Sequence, residues 1–308
     1  MVPASRASFV ADLARRAPPA AWEAYFLIGV FPEASPLRWC KVQIFSGGRD
    51  LGRTCLSAIE GMDGPGRLLV LAGRSGSIEE RSRLLRQGEL QRSPDGWHVR
   101  LDGLDWAGSY PELRLDCSDP GFRADTRTEE RLVWLRLPRV LTYWSAFGSV
   151  DWEGADGRAR GAGIVEHAWG ADSRLPVTRL APSWWHWDVL AFDDGSTAAG
   201  LAVAFAGQLR GVRGGGRITG EPFAIGRGPS IRVLDWTDQA ARPVPARWSG
   251  RWRLGAVELE YEARASTPVA AVLTRGGFLG FTFEGEAVAG VLRRQVRGAG
   301  FCEYARCR

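Results

Sequence analysis

Lysine is almost missing from this chain. Lys41 is the only one among 308 residues, so the 40 basic side chains are otherwise arginines. These arginines (Arg15, Arg16, Arg81, Arg83, Arg86, Arg251, Arg253, Arg293 and Arg294 among them) are scattered and form no stripe interleaved with aromatics. With a net charge of only +5, that pattern argues against nucleic acid as a partner. Histidine is nearly as scarce, with three. The five cysteines, Cys40, Cys55, Cys117, Cys302 and Cys307, are odd in number and match no zinc spacing. They read as reduced thiols of a cytoplasmic protein, and neither metal nor cofactor is expected. No run reaches the ~18 apolar residues of a membrane-spanning helix. Residues 5–16 lack the apolar centre of a secretion signal. Helical periodicity is confined to Phe9, Val10 and Leu13, ahead of Pro18-Pro19, which predicts one short N-terminal helix within residues 1–20.

What the chain does contain is a succession of short alternating runs separated by turn residues. Trp22, Ala24, Phe26 and Ile28 share one face, as do Trp97, Val99 and Leu101. Val257 to Arg264 alternates apolar and charged residues throughout, the pattern of a half-buried antiparallel strand. Ser46-Gly47-Gly48, Pro94-Asp95-Gly96, Asp193-Asp194-Gly195 and Gly214-Gly215-Gly216 punctuate the runs. With 39 glycines, the pattern predicts an all-β protein of antiparallel barrels or sandwiches. The polar, glycine-containing passage Asp151 to Gly157 suggests a connector. It divides the chain into a first β domain over 21–155 and a second over 156–308, with a single elongated barrel as the competing arrangement.

The densest chemistry lies between Glu166 and Asp188. This stretch holds two of the three histidines and four of the 14 tryptophans. If its ends are strands, His167 and Trp169 point one way, and His186 and Asp188 share a face at the other end. Asp188, set among Trp184, Trp185 and Trp187, would lose hydration and favour its proton-donating form. His167 and His186 could accept or orient a proton, and indole faces could hold an apolar substrate and stabilise a cation. Tyr143 and Trp144 could cap such a pocket. Glu166 falls on the face opposite His167 and reads as a supporting residue. Lys41 lies far from this stretch in sequence. No third ligand at recognisable spacing joins the two histidines, so no metal site is predicted. Core packing of the tryptophans and a structural Asp–His pair are the plain alternatives.

At these residues the chain resembles the carotenoid 1,2-hydratase (hydroxyneurosporene synthase) family and its lipocalin-like relatives. The matching pieces are Gly163 to Gly170, Trp185-His186-Trp187-Asp188, Phe192 to Ser196 and Gly300 to Tyr304. The resemblance implies two lipocalin-like β domains and cofactor-independent chemistry on hydrophobic small molecules, either hydration of a double bond or cyclisation of a polyene, including Diels–Alder reactions. It implies His167/Trp169 and His186/Asp188 as the family's two dyads, with Asp188 as the acid. His186 stands where the hydratases carry tyrosine. The expected function is thus a cofactor-free cyclase, isomerase or hydratase for a polyene or terpenoid-like substrate. A non-catalytic binder of a hydrophobic molecule is the alternative.

Overall fold

A computed structural model describes residues 22–47, 66–86, 89–92, 97–109, 111–137, 141–155, 157–170, 184–205, 208–239, 242–273 and 276–306. The expected N-terminal helix and the Pro94-Asp95-Gly96 turn lie outside these residues. Every regular element among those described is a β-strand, and every pairing is antiparallel.

The first sheet is built from β1 (Trp22–Val30), β2 (Trp39–Gly47), β3 (Gly66–Gly73), β4 (Ile78–Leu84), β5 (Gln91–Arg92), β6 (Trp97–Leu101), β7 (Leu104–Ser109), β8 (Glu112–Cys117), β9 (Phe122–Leu137), β10 (Leu141–Gly154) and β11 (Gly157–Gly170). Their spatial order is β4-β3-β2-β1-β11-β10-β9-β8-β7-β6-β5. The second sheet holds β12 (Trp184–Phe192), β13 (Thr197–Phe205), β14 (Gln208–Arg217), β15 (Ala224–Gln239), β16 (Arg242–Leu254), β17 (Val257–Ala265), β18 (Ala270–Leu273), β19 (Gly276–Ala289) and β20 (Leu292–Arg306). Its order is β17-β16-β15-β14-β13-β12-β20-β19-β18, and pairing of β17 with β19 closes it into a barrel.

The expected boundary near 155 falls elsewhere. Asp151 to Gly157 is the tip of the β10–β11 hairpin, where Gly154 pairs with Gly157 and Gly157 takes a positive φ of 93°. A polar, glycine-bearing hairpin tip has the composition of a linker, which is why the two are confused in sequence. Because β11 pairs with both β1 and β10, His167 and Trp169 belong to the first sheet. The change of sheet occurs between Gly170 and Trp184.

Three buried layers result. One fills the concave interior of the first sheet, with Tyr25, Leu27, Val42, Trp97, Trp106 and Trp144 among its members. Another fills the barrel, around Leu190, Trp248, Trp252, Leu259 and Phe281. The third lies between the sheets, where Ile28, Trp39, Ile164, Val189 and Phe301 meet. Each fully buried side chain of this kind stabilises the fold by roughly 1.5–3 kcal/mol. Trp39 of the first sheet also latches onto the second, donating its indole N–H to Thr267 Oγ1 at 3.1 Å. Strands at the junction are therefore buried on both faces, and β1 reads Trp-Glu-Ala-Tyr-Phe-Leu-Ile-Gly-Val almost without polar interruption. On β17, which has one wet face, burial alternates as predicted.

Candidate functional site between two sheets

Alternation along β11 and β12 sends polar side chains into three separate spaces. Into the first sheet's interior point Glu23 and Tyr25 of β1 with His167 of β11. His167 Nε2 lies 2.8 Å from Glu23 Oε1, and the Tyr25 hydroxyl donates to the same oxygen. Tyr25 stacks on the imidazole at 4.5 Å, Trp169 lies at 4.5 Å, and Trp144 and Trp97 present edges at 5.9 and 6.0 Å. The imidazole is boxed by four rings and held by one carboxylate.

Into the barrel point His186 and Asp188 of β12. Asp188 Oδ1 pairs with His186 Nε2 at 2.8 Å, while Oδ2 accepts from Trp248 Nε1 at 2.9 Å and from the Tyr261 hydroxyl at 2.5 Å. Gly250 makes room for this network, because a Cβ there would come within 2.3 Å of the Tyr261 ring. Burial first, and then the Asp188 charge, pushes the Tyr261 phenol well above its usual range. Asp188 thus ties β12 to β16 and β17. His186, Asp188 and Cys302 also bring three potential metal-ligand atoms within 4.8 Å of one another, and no fourth ligand joins them among the described residues. Spacing could not show this cluster, because Cys302 comes from β20. Its thiol sits 3.4 Å from His186 Nε2 and is pushed well up, chiefly by burial, which opposes the thiolate a metal would need.

The expectation that His167 and Asp188 line one cavity does not hold. Their strands lie in different sheets, and each side chain turns to its own sheet's interior, away from the space between.

That space holds the third cluster. Glu166 of β11, Tyr143 and Ser145 of β10, Lys41 of β2 and Glu303 of β20 all face it. Tyr143 donates to Glu166 Oε1 at 2.7 Å, and Ser145 Oγ donates to the same oxygen. Lys41 Nζ pairs with Glu303 Oε2 at 2.7 Å, across the two sheets. Its ammonium also lies 3.9, 5.3 and 5.7 Å from the ring centres of Phe278, Phe26 and Phe301. Burial raises the Glu166 carboxyl from 4.5 to about 7, with the Glu303 charge adding to the rise; the Ser145 and Tyr143 hydrogen bonds and the Lys41 charge oppose it. Tyr143 is pushed well up by burial and by the Glu166 charge.

Among the expected substrate-binding residues, Tyr143, Trp185 and Trp187 pack at this junction. Trp144 and Trp169 belong to the first sheet's interior. Trp184 opens β12, and its side chain lies outside what the structure describes. A cleft of about 510 Å3 enters the same junction from one end, with Phe147, Ala162, Ala191, Phe223 and Ala299 among its lining residues. Arg217 and Glu129 bridge its rim at 3.3 Å. The cleft and the cluster lie along the same strands: Phe147 is two residues from Ser145 and Ala299 four from Glu303, roughly 7 and 13 Å at the strand rise.

No family sequence model matches this chain, and no curated protein matches it by sequence. Solved structures do match it. An AttH-type protein from Nitrosomonas europaea superposes with a TM-score of 0.61 at 12% identity, covering 94% of this chain and 93% of the other. Kievitone hydratase from Nectria haematococca gives 0.61 at 9% identity over 96% and 92%. CghA in its structure with Sch210972 gives 0.57 at 11% identity over 94% and 89%.

The chain shares their fold over nearly its whole length. The predicted all-β architecture of two lipocalin-like units therefore stands, and no membrane-spanning helix exists among the described residues.

Proposed function

We propose that this protein is a cofactor-independent enzyme of the hydratase or cyclase kind, acting on a hydrophobic small molecule held between the two sheets, with Glu166 as general acid. The observation that carries this reading is the Glu166 carboxyl itself. It is 2% exposed, it is gripped on one oxygen by Tyr143 and Ser145, and burial brings it to about 7. An acid tuned near neutrality combines a populated protonated form with a strong drive to donate. That a kievitone hydratase shares the fold supports the reaction kind, although fold alone does not specify chemistry.

In the proposed reaction Glu166 gives its proton to one carbon of a substrate double bond. The cation formed on the other carbon is stabilised by the indole face of Trp185. In a hydratase, water adds to that carbon and returns a proton to the Glu166 carboxylate. In a cyclase, an internal double bond attacks it, and the proton is lost from a neighbouring carbon to the same carboxylate. Either path closes the cycle with Glu166 reprotonated and needs no other reactant. The cleft at Phe147 and Ala299 is the proposed entrance.

The test is incubation with a panel of apolar polyenes followed by mass spectrometry. Gain of one water marks hydration, and an unchanged mass with lost conjugation marks cyclisation. Glu166→Gln should lower turnover by about 10²–10⁴. Unaltered turnover in that variant would end the acid role. Tight binding of every candidate without conversion would leave a binder.

A further inference from the structure

The space between the sheets holds a buried hydrogen-bond donor with no acceptor to receive it among the described residues. Trp187 lies on β12 directly opposite Glu303 of β20 in the strand register, so both side chains emerge on the face toward the first sheet. Trp187 is 4% exposed, and its indole N–H has no hydrogen-bond partner among the described residues. The ring of Phe301 lies 6.2 Å away, centre to centre. Trp97, Trp106 and Trp252 also lack partners among the described residues, but they lie in the closed interiors of the first sheet and the barrel, away from the candidate site. A buried, unsatisfied N–H costs about 1–3 kcal/mol, so its retention beside a candidate site points to a partner brought by the ligand.

Lys41 brings further donors to the same space. An ammonium carries three N–H donors. One engages Glu303, and the rings of Phe278, Phe26 and Phe301 surround the rest of Nζ. Trp187 and Lys41 thus flank Glu303 from the two sheets, and both carry N–H bonds into the intersheet space. A pure hydrocarbon would leave these donors unmet. A hydroxyl would bring a further donor with it. A carbonyl oxygen brings two lone pairs and no hydrogen.

We propose that the ligand of this intersheet site carries a carbonyl oxygen, which accepts a hydrogen bond from Trp187 Nε1 with Lys41 Nζ alongside. The substrate class is then an oxygenated, carbonyl-bearing apolar molecule, with hydrocarbon polyenes bound more weakly. This rests on the intersheet site being the substrate site, and it names Trp187 as the residue that reads the oxygen.

The experiment uses two probes, β-ionone and the hydrocarbon in which a methylene replaces its carbonyl. Binding of each to wild type and to Trp187→Phe is followed by tryptophan fluorescence, and the bound carbonyl stretch by difference infrared spectroscopy. Trp187→Phe keeps an aromatic ring in place and removes the N–H. The expected result is an affinity loss of about tenfold for β-ionone, with hydrocarbon affinity unchanged. The lowered carbonyl frequency of the wild-type complex should also return toward its unbonded value. Retained hydrocarbon affinity shows that the variant is folded. Equal losses for both probes, no loss for either, or no binding of β-ionone to wild type would overturn the proposal. The catalytic reading fails separately. A selective β-ionone loss in a protein that converts no substrate sustains the carbonyl assignment and removes the enzyme. Conversion of hydrocarbon polyenes unaffected by Trp187→Phe does the reverse.

Discussion

Replacing Glu166 by glutamine should make this protein more stable at pH 8 than at pH 5, relative to wild type. The reason is linkage. Burial raises the folded-state carboxyl from 4.5 to about 7, while the unfolded chain titrates near the ordinary value. Between those limits the native protein holds a proton that the unfolded chain has released. Unfolding then releases a proton, so wild-type stability falls as pH rises through this window and levels off above about 7. Below 4.5 both states are protonated and the penalty vanishes. Stability falls by about 1.4 kcal/mol for each pH unit crossed between the two values, so ionising Glu166 in its buried site costs about 3 kcal/mol at pH 8. Solvent screening does little to discount this, because the residue is 2% exposed. Glutamine cannot titrate, keeps the shape and keeps an oxygen to accept from Tyr143 and Ser145. Urea unfolding of both proteins at pH 5 and pH 8 should therefore show their stability difference swinging by about 2.5 kcal/mol toward the variant. Groups common to both, including Lys41, Glu303 and Tyr143, largely cancel. A difference independent of pH would refute the assignment of a raised carboxyl to Glu166.

Other perturbations follow from the same geometry. Lys41→Met leaves Glu303 without its partner and should cost about 3 kcal/mol in urea unfolding, near the low end for a broken buried pair because the Glu303 side chain is 18% exposed. Adding Glu303→Gln to that variant should recover most of the loss, and a Lys41→Met cost below about 1 kcal/mol would deny the bridge its role in joining the sheets. Asp188→Asn places an amide donor among Trp248, Tyr261 and His186, and should destabilise the fold by about 2–4 kcal/mol while leaving turnover per folded molecule intact. A loss of turnover without a loss of stability would return the acid role to Asp188. Ala299→Trp should fill the cleft and raise KM at least tenfold with little change in Tm; unchanged kinetics would place the entrance elsewhere.

Much of the architecture was legible because half-buried strands alternate. Val257 to Ala265 alternates in sequence and in burial alike, and Asp193-Asp194-Gly195 is a turn with Gly195 at a positive φ of 82°. Alternation also correctly placed His186 with Asp188 and His167 with Trp169. It could not say which space each face adjoins. Strands β1, β11 and β12 are wedged between an interior and the junction of the sheets, so both their faces are buried, and a polar residue on either is a candidate. Glu166 looked like a supporting residue only because its neighbour His167 was assigned the important face. Lys41 and Glu303 are 262 positions apart, and no local pattern pairs them. The available signal was compositional: the single lysine of the chain sits inside the apolar strand Trp39 to Phe45, with Gln43 on the same face. A buried charge in that setting requires a partner.

The most direct test of the central claim is the pH dependence of kcat/KM for whichever polyene the protein converts. A general acid with a carboxyl near 7 must lose activity as pH rises through that value, with a tenfold fall per pH unit well above it. Wild type should show that descending limb, and the residual activity of Glu166→Gln should be flat across the same range. A wild-type profile level from about pH 6 to pH 8.5, or an identical descending limb in Glu166→Gln, would contradict it.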